Sequence, residues 1–202
     1  MFNKARTFDF LPDLHFADGT EVTIVQETRL LGVVVSSDLK WSKNTSYICQ
    51  KARKKVWMLR RMKSINLNIT QMVDVYVKVV RSILEMAVPV WHSGITRREA
   101  SEIESIQKLA LKIILGSQYT CYTEALKLAK IETLEELRGK LCLKFAEKNL
   151  KSNNSFFTLH HPAFPTRRKP DRVKEFSCRT ARFQRSSLPF LARMLNEESR
   201  SV

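Results

Sequence analysis

The acidic side chains are the residues of this chain that could support metal-dependent catalysis, and their spacing does not favour it. Phosphoryl transfer with two metal ions needs several carboxylates that converge on ions about 4 Å apart. The sequence contains no Asp-Asp pair, and the adjacent acids Glu135-Glu136 and Glu197-Glu198 are typical of solvated helix surfaces. The five glycines are far apart, which argues against a glycine-rich phosphate loop. We therefore predict no catalytic residues and no cofactor.

The histidines and cysteines do not form a metal-ligand pattern either. His160 and His161 are neighbours, whereas His15 and His92 lie far from them in the sequence. The four cysteines are widely spaced without a Cys-x-x-Cys pair, which argues against both a zinc module and a disulfide framework. We predict reduced thiols and no bound metal.

The lysines and arginines between residues 40 and 63 carry the clearest signal, because this segment holds nine cations and no acid. Solvated helix surfaces usually mix the two signs, since opposite charges four residues apart stabilise a helix. We predict a helix that contacts nucleic-acid phosphates, with Lys51, Lys54, Lys55 and Arg61 near one stripe opposite the apolar positions. The predicted contacts are Lys43, Lys51, Arg53, Lys54, Lys55, Arg60, Arg61 and Lys63.

A second basic stretch covers residues 167–185, where eight cations accompany two acids. Phe176 and Phe183 lie among these cations, and aromatic rings in such a setting can stack on unpaired bases. A nuclear-localisation signal or a solvated arm has a similar composition. The predicted nucleic-acid contacts of this stretch are Arg167, Arg168, Lys169, Arg179 and Arg182.

The overall composition predicts a folded chain with a polyanionic partner. The 202 residues are 44% hydrophobic, which is enough for a core, and 35 Lys and Arg against 20 Asp and Glu give a net charge of +15. This excess favours nucleic acid as partner first and an anionic membrane second. The apolar runs are too short to span a bilayer, which takes about 20 residues, and residues 1–10 do not resemble a signal peptide. We predict a nuclear or cytoplasmic chain that is not secreted and has no transmembrane segment.

The elements that must position these side chains follow from periodicity. Period-two alternation predicts a hairpin around Asp18-Gly19, and the continuous β-branched run over 30–35 predicts a third short strand that is covered on both faces. From Ser42, the candidate N-cap, the period becomes helical and the first helix should end near Ser64. Further helices are predicted over 70–86, 96–116, 122–129, 133–150 and 188–195, with Thr-x-x-Glu capping boxes at Thr96 and Thr133.

These elements predict a mainly α fold in three parts. Residues 1–41 form a short N-terminal antiparallel β-hairpin or three-strand element, and residues 42–151 form a helical bundle. Residues 152–202 form a basic, partly disordered arm with a short terminal helix, because three prolines between 162 and 170 break any regular pattern.

Several short words of the sequence, in their order, resemble non-LTR, LINE-type reverse transcriptases, especially jockey-like ones. Leu31-Gly32-Val33 followed by Leu39-Lys40-Trp41 resembles the "LGV…L.W" signature just beyond the palm of that family. The segment 51–61 resembles its basic thumb helix, and 83–91 resembles its "LEY..PVW" element. The segments 106–116 and 133–146 resemble its "IQ…ILG" stretch and its closing helices, so the resemblance covers most of the chain.

The resemblance implies the last part of the palm, with a primer grip, and the thumb of an RNA-directed DNA polymerase. Leu31, Gly32, Val33 and Trp41 are then primer-grip-like residues, residues 42–151 are thumb-like, and the partner is an RNA/DNA duplex or primer–template. The paired Asp motif of the family's palm has no counterpart here, so we expect no polymerase activity from this chain alone. We expect the catalytic palm upstream of residue 1, and a separate palm-containing polypeptide is a further expected partner. Ser36 departs from the family, many members of which have Asp there.

Two other functions fit the same residues. The helices can form a protein-docking module derived from a mobile element, in which case the charge serves only solubility. Alternatively, a basic amphipathic helix can lie on a membrane, which would require Trp57 and Leu59 to be exposed. We expect apolar partners to cover both side chains.

Overall fold

A two-stranded hairpin precedes the helices. The computed structural model describes residues 15–21, 25–152, 156–157 and 173–201. Strands β1 (Glu27–Leu30) and β2 (Val33–Ser36) are antiparallel, with Leu30 opposite Val33. Leu31 and Gly32 form the two-residue turn with φ of 48° and 88°. Positive φ at both positions matches the right-handed twist of the strands, as two-residue hairpin turns require.

This hairpin corrects the prediction of a continuous buried strand over residues 30–35. Leu30 and Leu31 are exposed, and the chain reverses direction where the strand was expected. The turn at Asp18-Gly19 is present, with Gly19 at φ 84° and a single bridge between His15 and Glu21. Residues 22–24 of the other predicted strand lie outside the described residues. In the described part of the chain the sheet thus has two strands.

Helix α1 (Ser42–Ser64) has the predicted bounds. Its apolar residues recur every three to four positions and are buried, among them Ile48, Ala52, Val56 and Leu59. Ser42 is not the N-cap as predicted, because Trp41 occupies that position and makes no side-chain capping bond. The main neighbours of α1 are β2 and the helices described below.

The predicted helix over 70–86 consists of three consecutive segments: α2 (Ile69–Val75), a π-helical segment (Tyr76–Arg81) and α3 (Ser82–Glu85). Asn68 caps its start by accepting a hydrogen bond from Gln71 N over 2.8 Å. Ala87, at φ 53°, then turns the chain into the short helix α4 (Val88–Trp91). Pro89 lies in the first turn of α4, where its missing N–H leaves no partner unsatisfied.

Helices α5 (Arg97–Leu115), α6 (Tyr122–Ala129) and α7 (Leu134–Lys151) confirm the predicted pattern. Both capping boxes are complete, at Thr96 with Glu99 and at Thr133 with Glu136. Gly116 ends α5 at φ 56°, in the left-handed region that favours glycine.

The C-terminal residues pack on the same helices. Helix α8 (Ala181–Gln184) precedes α9 (Ser187–Ser201), which is longer than the predicted 188–195. Leu191 and Leu195 share one core with residues of α1 and α5. The buried Asn196 side chain accepts a hydrogen bond from Val173 N and donates one to Val173 O, over 3.0 and 3.1 Å. The stretch 173–201 thus packs on the other helices through the core residues of α9, and Asn196 holds Val173 against α9.

The predicted fold class is confirmed in its mainly helical content and its N-terminal antiparallel hairpin. The segment 158–172, part of the predicted arm, lies outside the described residues. Among the helices that are described, none combines the length and the apolar composition that crossing a membrane requires.

Candidate nucleic-acid interface

Helix α1 has an apolar face and a cationic face. About 100° of rotation per residue places Lys54, Trp57 and Arg61 together, opposite the buried Ala52 and Leu59. The apolar face packs into the main core against α5 and the π-helical segment. The outward direction of the cationic side chains follows from that burial.

Three of the eight cations predicted on α1 have partners within the protein. Lys43 lies 3.6 Å from the Glu27 carboxylate, and Arg53 lies 3.5 Å from that of Glu102. Both pairs are exposed, and exposed ion pairs contribute little because water and salt screen them. The Lys63 ammonium donates a hydrogen bond to the Ile114 carbonyl over 2.8 Å, where it satisfies the C-terminal end of α5.

The other five cations of α1 have no ion pair with any residue that the structure describes. We call these five residues the cationic face: Lys51, Lys54, Lys55, Arg60 and Arg61. Two of them lie over aromatic rings, Lys51 at 5.9 Å from the Tyr47 ring and Arg61 at 5.9 Å from the Trp57 ring. Positive charge without a nearby acid attracts phosphate groups.

Trp57 corrects the expectation that apolar partners cover it. Leu59 is fully buried as expected, but 58% of Trp57 is exposed. The apolar stripe of α1 runs through Val56 and Leu59, which places position 57 on the outward side. The helical period of the sequence already predicted an exposed Trp57, because position 57 lies outside the apolar stripe.

The four primer-grip-like residues do not form one site. Leu31 is 93% exposed at the hairpin tip, whereas Val33 is buried. Gly32 faces Met86, whose Cε would be 3.1 Å from a Cβ at that position. Trp41 lies about 10 residues further along, at the start of α1, where its ring covers Gly94. Of the four, only Leu31 is thus exposed to a ligand.

One contact joins the hairpin to α1, and another joins it to the loop before α1. Val34 N donates a hydrogen bond to Asn44 Oδ1 over 3.1 Å. Ser36 Oγ lies 2.6 Å from Asp38 Oδ1, and this bond, with one from Lys40 N, lowers the pKa of Asp38 to about 2. Ser36 therefore organises the loop before α1.

The second basic stretch reaches the same end of α1 through one residue. The Arg182 guanidinium donates a hydrogen bond to the Asp38 carbonyl oxygen, and Arg179 is exposed. Phe176 and Phe183 contact each other edge to face at 6.4 Å, and Phe176 also packs on the main core. The predicted contacts Arg167, Arg168 and Lys169 lie outside the described residues.

Sequence reasoning missed a buried arginine. Arg138 of α7 is 2% exposed, and its Nε donates a hydrogen bond to His92 Nδ1 over 3.3 Å. Burial and the nearby guanidinium lower the pKa of His92 to about 4, and burial also lowers the pKa of Arg138. No local motif marks the pair, because its partners are 46 residues apart. Its role is structural: it ties α7 to the turn after α4.

A chain of buried and half-buried polar groups holds α5 in place. Tyr76 donates to Gln107 Oε1 over 2.6 Å, and Gln107 Nε2 donates to Tyr122 Oη over 2.9 Å. Tyr122 in turn donates to the Glu104 carboxylate, and burial raises its pKa. Every polar end in this chain has a partner, which makes it a structural network. The part of the chain that the structure describes contains no cluster of His, Cys, Asp or Glu that could hold a metal ion.

The chain matches no protein-family model, no curated protein and no solved structure. The resemblance to reverse transcriptases therefore stays a prediction that rests on the sequence words quoted above.

Proposed function

We propose that the chain binds nucleic acid without catalysing a reaction on it, through the cationic face of α1. The observation that carries the proposal is a set of cations without acidic partners among the described residues, on a helix whose opposite face is buried in the core. Cations that meet phosphates displace the counterions condensed on nucleic acid, and the release of those ions drives binding. This mechanism needs no carboxylate and no metal.

The resemblance to the reverse-transcriptase thumb extends the proposal to a primer–template duplex. On this view the chain holds the duplex, and a separate palm-containing polypeptide supplies the carboxylates. Residues 43–61 of α1 span about 27 Å, which corresponds to about eight base-pair steps. Lys43 and Arg53 can join the contact, because their exposed ion pairs are weak. A nuclear or cytoplasmic location follows from this function.

The test is a salt titration of binding to a labelled duplex, followed by fluorescence anisotropy. The variant changes Lys51, Lys54, Lys55 and Arg61 to Gln, which keeps helix propensity nearly constant. We expect weaker binding and a salt slope that is shallower by about 0.9 for each phosphate that the variant no longer neutralises, with little dependence on base sequence.

The matched control removes the same charge from exposed positions on other helices. Lys127, Lys140, Lys144 and Lys148 of α6 and α7 are changed to Gln. This control should keep most of the parent's salt slope. Equal slopes in the parent and in the α1 variant would contradict the proposal, provided that circular dichroism shows both chains folded.

The second candidate is a protein-docking module, and the hairpin favours it. Leu30 and Leu31 are exposed at the hairpin tip. One edge of β1 pairs with β2, and its other edge has no partner strand among the described residues. Exposed strand edges pair readily with other strands. If the α1 variant leaves the salt slope unchanged, protein docking becomes the better-supported function.

A further inference from the structure

The exposed Trp57 on the cationic face calls for an explanation beyond phosphate binding. A large aromatic side chain that is 58% exposed has no role in the core, and phosphate neutralisation does not use an indole ring. Among the large hydrophobic side chains of α1, it alone is exposed to this degree. Its position therefore points to an external ligand with an apolar surface.

The surroundings of Trp57 are cationic on both sides along the helix. Arg53 and Lys54 lie one turn before it, and Arg60 and Arg61 lie one turn after it, at the spacings where helix side chains are neighbours. The Arg61 guanidinium lies 5.9 Å from the ring centroid. These charges favour an anionic ligand at the ring.

Other ligands fit this arrangement less well. A protein partner would have to supply several acidic groups around the ring, because Trp57 has cations at all four neighbouring helix positions and burying them unpaired is costly. Membrane binding needs an apolar strip along the helix. Towards the C-terminal end of α1, the next large apolar residue that is exposed is Ile65, just past the end of the helix. Nucleic acid combines anionic phosphates with flat apolar surfaces, which is the combination required.

We propose that Trp57 stacks on an unpaired base of nucleic acid whose phosphates are held by Lys54, Arg60 and Arg61. This inference rests on the proposed function and names its ligand class: nucleic acid with a single-stranded stretch. Inside a duplex both faces of each base are covered by neighbouring base pairs. Only an unpaired base offers a free face to a ring on a rigid helix.

The experiment compares a labelled single-stranded oligonucleotide with a blunt duplex of the same sequence. Trp57→Leu removes the aromatic ring but keeps an apolar side chain with good helix propensity. We expect it to weaken single-strand binding about tenfold and to change duplex binding by less than about twofold. The salt slope should stay unchanged, because no charge is removed. Trp57→Phe should restore part of the affinity.

Ile65→Ala is the matched control, because Ile65 is 71% exposed but has no aromatic face. It should leave the binding of both probes unchanged. Equal affinity of Trp57→Leu and the parent for the single strand, or equal weakening on both probes, would overturn the inference.

Two further outcomes separate this inference from the function on which it rests. If the parent binds neither probe at low salt, the proposed function fails as well. If Trp57→Leu and Ile65→Ala both reduce binding to vesicles that contain anionic lipid, while single-strand binding stays constant, the face is a membrane contact instead. Since Trp57 and Ile65 are both exposed, none of these substitutions removes a core side chain.

Discussion

Gly94 illustrates how one residue fixes the start of α1. A Cβ at position 94 would lie 2.5 Å from Nε1 of Trp41, whose ring covers the glycine. Contacts this short force the ring or the backbone to move. The residue before α1 and the turn after α4 thus meet at this glycine.

Gly94→Ala should therefore destabilise the fold by about 1–3 kcal/mol, the usual cost of overpacking a closed site. Gly139→Ala is the control with the opposite sign. Position 139 lies inside α7 with nothing within 4 Å of an added Cβ, and alanine is favoured over glycine in a helix by about 0.5–1 kcal/mol. Urea unfolding followed by circular dichroism measures both. A Gly94→Ala chain as stable as the parent would show that Trp41 moves freely.

The sequence predicted single side chains well where one helix decided their position. The burial of Ile48, Val56 and Leu59 followed from their period along α1. The engagement of Lys63 did not, because its acceptor, the Ile114 carbonyl, is 51 residues away. Charge counting treats all nine cations of the segment alike, and tertiary contacts then distinguish them.

At the scale of elements, the Arg138–His92 hydrogen bond couples α7 to the turn after α4 and gives the fold a pH dependence. His92 accepts this bond through Nδ1, which requires the neutral ring, and its pKa is lowered from 6.5 to about 4. Above about pH 6.5 both the folded and the unfolded chain keep His92 neutral, so the contribution is fully present. Between pH 6.5 and 4 only the unfolded chain takes up the proton, and stability is lost.

We expect the free energy of unfolding to fall by about 1–2 kcal/mol from pH 7 to pH 5 on account of His92. His92→Asn offers Arg138 an amide oxygen in place of Nδ1 and does not titrate. The comparison is between urea midpoints of the two proteins at both pH values, so that other titrating groups cancel. The same pH dependence in both proteins would rule out the histidine as its source.

Helix boundaries were predictable where both partners of a cap lie within a few residues. The boxes at Thr96 and Thr133 were read from the sequence and formed as expected. The hairpin turn at Leu31-Gly32 was missed because Leu30 to Val35 has no polar residue, and a turn with Leu31 at positive φ runs against the usual preference for Asn or Gly. The π-helical segment has no sequence signal that we can identify.

For the molecule as a whole, we expect no templated DNA synthesis. The described residues contain no carboxylate cluster for two metal ions, and the sequence contains no Asp-Asp pair. The measurement is primer extension by the purified chain with primer–template, dNTPs and Mg²⁺ or Mn²⁺. A no-protein reaction is the control. Extension above that control would require a catalytic site of a different kind.

The arrangement of the candidate interface was only partly predictable, since it depends on contacts between distant segments. The sequence identified α1 as the basic helix, and the structure adds Arg182 at its N-terminal end through the bond to Asp38. These two residues are 144 positions apart, and no local pattern connects them. The helical period places Trp57 on the exposed side of α1, whereas its size and hydrophobicity favoured a covered ring.

The three tryptophans give the protein three separate optical reporters. Trp91 is fully buried and donates a hydrogen bond to the Met86 carbonyl, Trp41 is half-buried over Gly94, and Trp57 faces solvent. Indole emission shifts to longer wavelengths in water, so Trp57 dominates the red side of the spectrum and Trp91 the blue side. A soluble quencher such as acrylamide reaches Trp57 first. Ligand binding to α1 and unfolding of the core can therefore be followed at different wavelengths in one unlabelled chain.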